Sequence, residues 1–98
     1  MENIRIMYKI LPYSYNKAKK LKVKIYPSNK KNKKIDVYTL DNRYIVSIGQ
    51  RGYLDYPYYL KLFGKKIADS RKKQYKIRHK KDMSVKYSAG YYASKILW

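Results

Sequence analysis

The sequence predicts an α+β fold: an antiparallel β-meander of three or four strands followed by two C-terminal helices. Three observations lead there. Apolar and polar residues alternate with period two through much of residues 1–49, the pattern of half-buried strands. From about residue 66 the spacing becomes helical. No repeat or low-complexity linker divides the chain, and 98 residues have room for one modest core, so residues 1–98 read as a single domain.

The elements follow in order. Ile4, Ile6, Tyr8 and Ile10 alternate with Arg5, Met7 and Lys9 in a first strand, which Pro12 ends. Leu21, Val23 and Ile25 alternate with Lys22, Lys24 and Tyr26 in a second, closed by Pro27. Residues 28–34 are polar throughout and read as a turn. The runs 35–40 and 43–48 flank Asp41-Asn42, two residues that tolerate positive φ, which predicts a tight hairpin. Gly49-Gln50-Arg51-Gly52 is a turn, and the aromatic stretch that fills residues 50–65, with Pro57 inside it, reads as a connector. Residues 66–98 form the helical part. In the first helix, over 66–80, Ile67, Arg71, Tyr75 and Arg78 share one side; that stripe is only partly apolar, so the helix is expected on the sheet surface with a wide basic face. The second spans 88–97, with Ser88 as its cap and Ala89, Tyr92, Ala93 and Ile96 on one face. Gly90 weakens it by about 1 kcal/mol relative to Ala.

Charge dominates the composition. Twenty Lys and five Arg stand against six acids, a formal net charge of +19, while 45% apolar residues are enough to pack a core. Self-repulsion at this charge destabilises a small fold unless a polyanion offsets it. The obvious polyanion is nucleic acid, whose condensed counterions are released when Lys or Arg replaces them. Two Lys-rich faces are the candidate phosphate contacts. The first holds Lys17, Lys19, Lys20, Lys22, Lys24, Lys30, Lys31, Lys33 and Lys34; the second holds Lys65, Lys66, Arg71, Lys72, Lys73, Lys76, Arg78, Lys80 and Lys81. A Lys-rich, Tyr-rich composition also arises by drift in an AT-rich genome. Lys outnumbers Arg four to one, which argues against base-specific reading, where Arg's bidentate fork is the commoner tool.

Fourteen residues are Tyr, against one Phe and one Trp. Tyr53, Tyr56, Tyr58 and Tyr59 cluster between the sheet and the first helix, and Tyr91 and Tyr92 lie in the last. Such rings can stack on bases, fill a core or anchor an interface; core or interface is the preferred reading for residues 53–59. Trp98 is expected to be packed.

Catalytic and metal chemistry find no foothold. Cysteine is absent, which removes thiol catalysis, disulfides and Cys-ligated zinc. The one histidine, His79, has no evident carboxylate orienter or nucleophile motif, the acids are scattered singly, and Ser84, Ser88 and Ser94 lack a nucleophile-elbow context. A tyrosine nucleophile would need an Arg and His constellation that one His and five Arg scarcely supply. A non-enzymatic protein without cofactor or metal is expected. The apolar run 4–11 is short and interrupted by Arg5 and Lys9, so no membrane insertion is expected either.

Gly49-Gln50-Arg51-Gly52-Tyr53-Leu54-Asp55-Tyr56, then Asp69, Arg71-Lys72, Tyr75 and Arg78-His79, and finally Ser88-Ala89-Gly90 leading to Ile96-Leu97-Trp98 form an ordered set. In it, residues 35–98 resemble a family of small basic proteins of giant nucleocytoplasmic DNA viruses. That family runs from a hairpin through a G-x-x-G-Y-x-D-Y turn and an R-K…R-H helix to a T-A-G…I-L-W ending. The chain departs from it in Ser88 for Thr, and in Met83 and Val85 where a Trp is expected. The resemblance implies a viral, virion-associated protein, present in host cytoplasm or nucleus during infection, and carries over no catalytic residue. For the matched residues, Gly52 is expected at positive φ, Asp55 bonded to loop amides or paired with Arg78, and Trp98 pinning the last helix to the sheet. The expected role is binding of double-stranded DNA phosphates, in condensation or tethering of the genome. The alternatives are a minor capsid or cement protein docking shell subunits through its Tyr clusters, with its charge against an acidic capsid surface, and a nuclear host-interaction factor, since runs 30–34 and 71–81 resemble import signals.

Overall fold

Pro12 begins a helix instead of ending a strand. Its fixed φ and missing N–H suit the first helical turn, where an N–H has no partner inside the helix. Helix α1 (Pro12–Lys20) carries Lys17, Lys19 and Lys20 in its last turn, where the helix dipole favours cations, and buries Ser14 and Ala18, one turn apart. The computed structural model describes residues 7–98, so Ile4 and Ile6 of the expected first strand lie outside the described residues. Residues 7–11 form no strand, although Ile10 joins the core.

Three antiparallel strands, β1 (Val23–Pro27), β2 (Lys33–Thr39) and β3 (Tyr44–Gln50), pair in that order, so the chain is α+β with a three-stranded sheet. No fourth strand is present among the described residues. Pro27 is the last paired residue of β1, opposite Ile35, at a sheet edge where a missing N–H is tolerated. The hairpin expected between β2 and β3 forms, but with a longer loop. The Thr39 N–H donates to Arg43 O (2.8 Å) and the Asn42 N–H to Thr39 O (3.0 Å), enclosing Leu40, Asp41 and Asn42. Only Asn42 is left-handed, at φ 69°, as a three-residue loop requires of its last member.

Register gives the sheet two faces. Ile25 opposes Val37 and Ile35 opposes Ile48 on the inner face, which the helices cover. Tyr26 opposes Asp36, Asp36 opposes Ser47 and Tyr38 opposes Tyr44 on the outer face. The turn expected at 49–52 starts later, at Arg51, because Gly49 and Gln50 still belong to β3. Gly49 sits at φ 78° where a Cβ would come within 2.8 Å of Lys34 Cδ and 2.9 Å of Leu97 Cδ1. Gly52 takes φ 96°.

The aromatic connector contains a helix, α2 (Tyr56–Phe63). Asp55 caps it, accepting from the Tyr58 N–H at 3.4 Å, and Pro57 occupies its first turn. Helix α3 (Lys65–Arg78) buries Ala68 and Tyr75, while Ile67 is 46% exposed, so the expected stripe is rotated. It packs on α2, not on the sheet. A single turn, α4 (Lys80–Met83), precedes α5 (Ala89–Ile96), whose cap Ser88 accepts from the Tyr91 N–H at 3.2 Å. Among the described residues the helices are therefore five, of which α3 and α5 are the two expected. Gly90 has a packing reason: a Cβ there would lie 2.6 Å from Asp82 Cβ and 2.9 Å from its carbonyl oxygen.

Ile96-Leu97-Trp98 holds these parts together from the centre of the core. Ser14 Oγ donates to Ile96 O (3.0 Å), the Tyr56 N–H to Leu97 O (3.0 Å) and the Tyr13 hydroxyl to Trp98 O (3.1 Å). The Trp98 ring stacks on Tyr75 at 4.3 Å and 9°, which fastens α3 to the core.

Candidate nucleic-acid interface

All five described aspartates are engaged. Asp36 meets Ser47 Oγ (2.6 Å) and Lys30 Nζ (3.3 Å), and Asp41 meets Arg43 Nε (3.2 Å). Asp55 meets Lys34 (2.9 Å), Asp69 meets Lys65 (2.6 Å), and Asp82 meets His79 Nδ1 (3.3 Å). Burial raises the Asp36 pKa, but hydrogen bonds from Ser47, Ser28 and Lys30, with the Lys30 charge, hold it below the usual carboxylate value. Hydrogen bonds from Lys65 and Tyr56 likewise lower Asp69. Among the described residues no other ion pair forms, so most of the candidate lysines and arginines have no carboxylate to answer them. On the first face Lys19, Lys20, Lys22, Lys30, Lys31 and Lys33 are exposed, and Lys17 and Lys24 half-buried. On the second, Lys65, Lys66, Arg71, Lys73, Lys76, Arg78, Lys80 and Lys81 are exposed and Lys72 half-buried.

Lys17 of the first face and Lys72 of the second flank one ring pair, Tyr13 of α1 and Tyr56 of α2. The Tyr13 and Tyr56 rings lie 5.2 Å apart, with Lys17 Nζ 5.3 Å over the first and Lys72 Nζ 4.9 Å over the second. Burial and the charges of Lys76, Lys17 and Lys65 push the Lys72 pKa down, against the pull of Asp69. Like charges crowded in this way favour an anion between them. A second concentration lies at the turn joining β1 to β2, where Lys30, Lys31, Asn32 and Arg51 line an open hollow of about 240 Å³.

Lys34 leaves the set of candidate phosphate contacts. Its side chain is 5% exposed, and its Nζ donates to Asp55 Oδ2 (2.9 Å) and Tyr53 O (2.6 Å). The Tyr8 hydroxyl donates to the same Asp55 oxygen at 2.7 Å, and burial followed by the Asp55 charge raises its pKa well above the usual phenol value. Asp55 is thus the partner of Lys34, not of Arg78. The charge run 30–34 ends inside the protein because Tyr8, Tyr53 and Asp55 close over Lys34, although its strand parity is that of the outer residues Asp36 and Tyr38.

The aromatics divide. Tyr56, Tyr92 and Trp98 are buried. Tyr58 and Tyr59 are half-buried, the Tyr58 hydroxyl donating to Lys9 O (2.6 Å) and the Tyr59 ring lying 6.2 Å from Trp98 under the Arg71 guanidinium (5.5 Å). Tyr91 meets Tyr92 edge-on at 5.2 Å. Tyr53 is 68% exposed and outside the core. The sequence reading passed over Tyr26, Tyr38 and Tyr44, which form a row across the outer sheet face with centroids 5.5 and 5.6 Å apart. Tyr26 and Tyr38 sit at the strand parity opposite to the inner Ile and Val residues, whereas Tyr44 shares the parity of Val46 and Ile48 and reaches the outer face through the register shift at Val37/Tyr38, which no local pattern announces.

His79 has the carboxylate neighbour that sequence reading did not find, Asp82, and stacks on Tyr75 at 4.3 Å. Among the described residues no group of three or more His, Cys, Asp or Glu is placed to hold a metal, and no helix is long and apolar enough to cross a membrane. No protein-family model, curated protein or solved structure matches the chain.

Proposed function

We propose that this is a non-enzymatic basic protein that binds the phosphates of double-stranded DNA without reading sequence, and that it acts in a virion of a large DNA virus by condensing or tethering the genome. One observation carries the binding reading. Every described aspartate is already engaged within the fold, and the surface cations left over gather on faces that meet at Lys17 and Lys72. An external polyanion relieves that crowding and releases its own counterions. Arg, the side chain suited to bidentate base contacts, is scarce on both faces. The viral setting rests on the resemblance of residues 35–98 alone.

Fluorescence anisotropy with two duplexes of unrelated sequence and equal length tests the binding mode. Equal affinities within about twofold are expected, since phosphate contacts carry no sequence information; strong preference for one duplex contradicts the reading. A second reading, docking to a shell protein, is favoured by Leu60, Leu62 and Phe63, which leave α2 and its junction with α3 apolar and 38–57% exposed. Mass spectrometry of full and genome-free particles separates the two: loss of the protein with the genome supports the first, and full retention in emptied shells the second.

A further inference from the structure

The outer sheet face holds something that duplex binding does not use. Tyr26, Tyr38 and Tyr44 stand side by side on β1, β2 and β3, edge to face, and Tyr26 and Tyr44 are 47% and 48% exposed. Tyr15, Tyr53 and Tyr87 are exposed as well, at 47%, 68% and 61%, but stand on a helix and in loops, whereas Tyr26, Tyr38 and Tyr44 are aligned on one sheet face. The polar groups between the rings are answered internally. Asp36 accepts from Ser47 Oγ and Lys30 Nζ, and the Tyr44 hydroxyl shares a 2.7 Å hydrogen bond with Ser47 Oγ. What the face offers outward is therefore ring surface.

Cations border it. Lys24 lies opposite Tyr38 in the register, and Lys30 Nζ sits 4.5 Å from the Tyr44 ring centroid. Lys30 also lines the basic hollow with Lys31 and Arg51, so the row of rings runs into a place suited to phosphate. At its other end Tyr26 borders a hollow of about 490 Å³ that Lys19, Lys22 and Lys24 also line. Aromatic rings in a row, with ammonium groups at both ends, match a strand whose bases are unpaired and whose phosphates lie at the rim. A duplex keeps its bases stacked inside and offers the rings nothing.

We propose that Tyr26, Tyr38 and Tyr44 form a stacking platform for single-stranded nucleic acid, with Lys24, Lys30 and the Lys31–Arg51 hollow holding its phosphates. This rests on the polyanion-binding reading above and adds a strand preference to it. The test compares a short thymidine oligonucleotide, an abasic strand with the same number of phosphates, and a duplex, all at one salt concentration. The thymidine strand is expected to bind about tenfold or more tighter than the abasic one, because each stacked base adds about that factor. Tyr26→Thr with Tyr44→Thr changes no charge; it is expected to erase the difference while leaving abasic-strand and duplex binding as they were. Cross-links from a 5-bromouracil strand to the wild-type protein should map to Tyr26, Tyr38 or Tyr44. Equal binding of thymidine and abasic strands, or cross-links confined to the helices, overturns the platform while leaving phosphate binding intact. Failure of all three probes to bind overturns both.

Discussion

On its inner face the sheet presents Ile25, Ile35, Val37 and Ile48, all 5% exposed or less. One residue along the same strands, its outer face presents Tyr26, Asp36, Tyr38, Tyr44 and Ser47. The backbone and pairing are shared, so the difference comes from side chains and from what covers them. Helices α1 and α5 lie against the sheet and dry the inner side, where dispersion and the hydrophobic effect do the holding. On the outer side a carboxylate survives because hydroxyls and an ammonium answer it, and the rings keep half their surface in water. Lys34 marks the boundary: it shares outer parity with Asp36 and Tyr38, yet Tyr8 and Asp55 close over it. Stability and contact are thus divided between the two sides of one structure.

The largest effect should come from that boundary. Asp55→Ala leaves the Lys34 ammonium buried without a counter-charge and removes the α2 cap, a loss of about 3–5 kcal/mol. Small domains are stable by about 5–15 kcal/mol, so urea unfolding should shift to a far lower midpoint or the protein should be unfolded in buffer. A near-native midpoint would mean that the pair contributes little. Next comes the inner face, where Ile35→Ala should cost about 2–5 kcal/mol in the same assay, since Ile35 has no exposed surface and its neighbours cannot collapse fully.

The buried phenols give a further test, by alkaline titration. Burial, reinforced by neighbouring groups, raises the phenols Tyr8, Tyr58, Tyr75 and Tyr92 above 10, and Tyr13 to about 12, while Tyr56 is raised chiefly by its hydrogen bond to Asp69. In the unfolded chain these groups ionise near pH 10. Above that pH the unfolded state therefore sheds protons that the native state keeps. Their contribution is fully present below pH 10 and is lost as pH rises through the folded values, from 10 to 12 for Tyr13. Phenolate absorbance should rise in two stages, the second coinciding with loss of far-ultraviolet circular dichroism. A single rise near pH 10 with the fold intact would contradict this. The smallest effect belongs to the outer face: Tyr26→Thr keeps a β-former at a half-exposed edge position and should change stability by less than about 1 kcal/mol.

Legibility in the sequence followed the range of the signal. The β2–β3 hairpin and the Ser88 cap were readable because their signals, alternating runs around Asp41-Asn42 and a Ser before an apolar face, lie within a few residues. Pro12 and Pro57 misled because the same residue that stops a strand also suits the first turn of a helix, and the context deciding between them is tertiary. Helix α2 was further hidden by its bulky aromatic run. The exposed lysines were legible as a class. Lys34 was not, since its partner Asp55 lies 21 residues on and nothing local separates it from Lys33. The outer tyrosines needed knowledge of which side the helices cover.

If the cations left unpaired by the fold bind nucleic-acid phosphates, as proposed, duplex affinity must respond to salt. A straight fall of log affinity against log salt is expected, with a slope of about −0.9 for each phosphate contacted and several contacts in all. Affinity that does not change with salt, or no binding in dilute buffer, would contradict it.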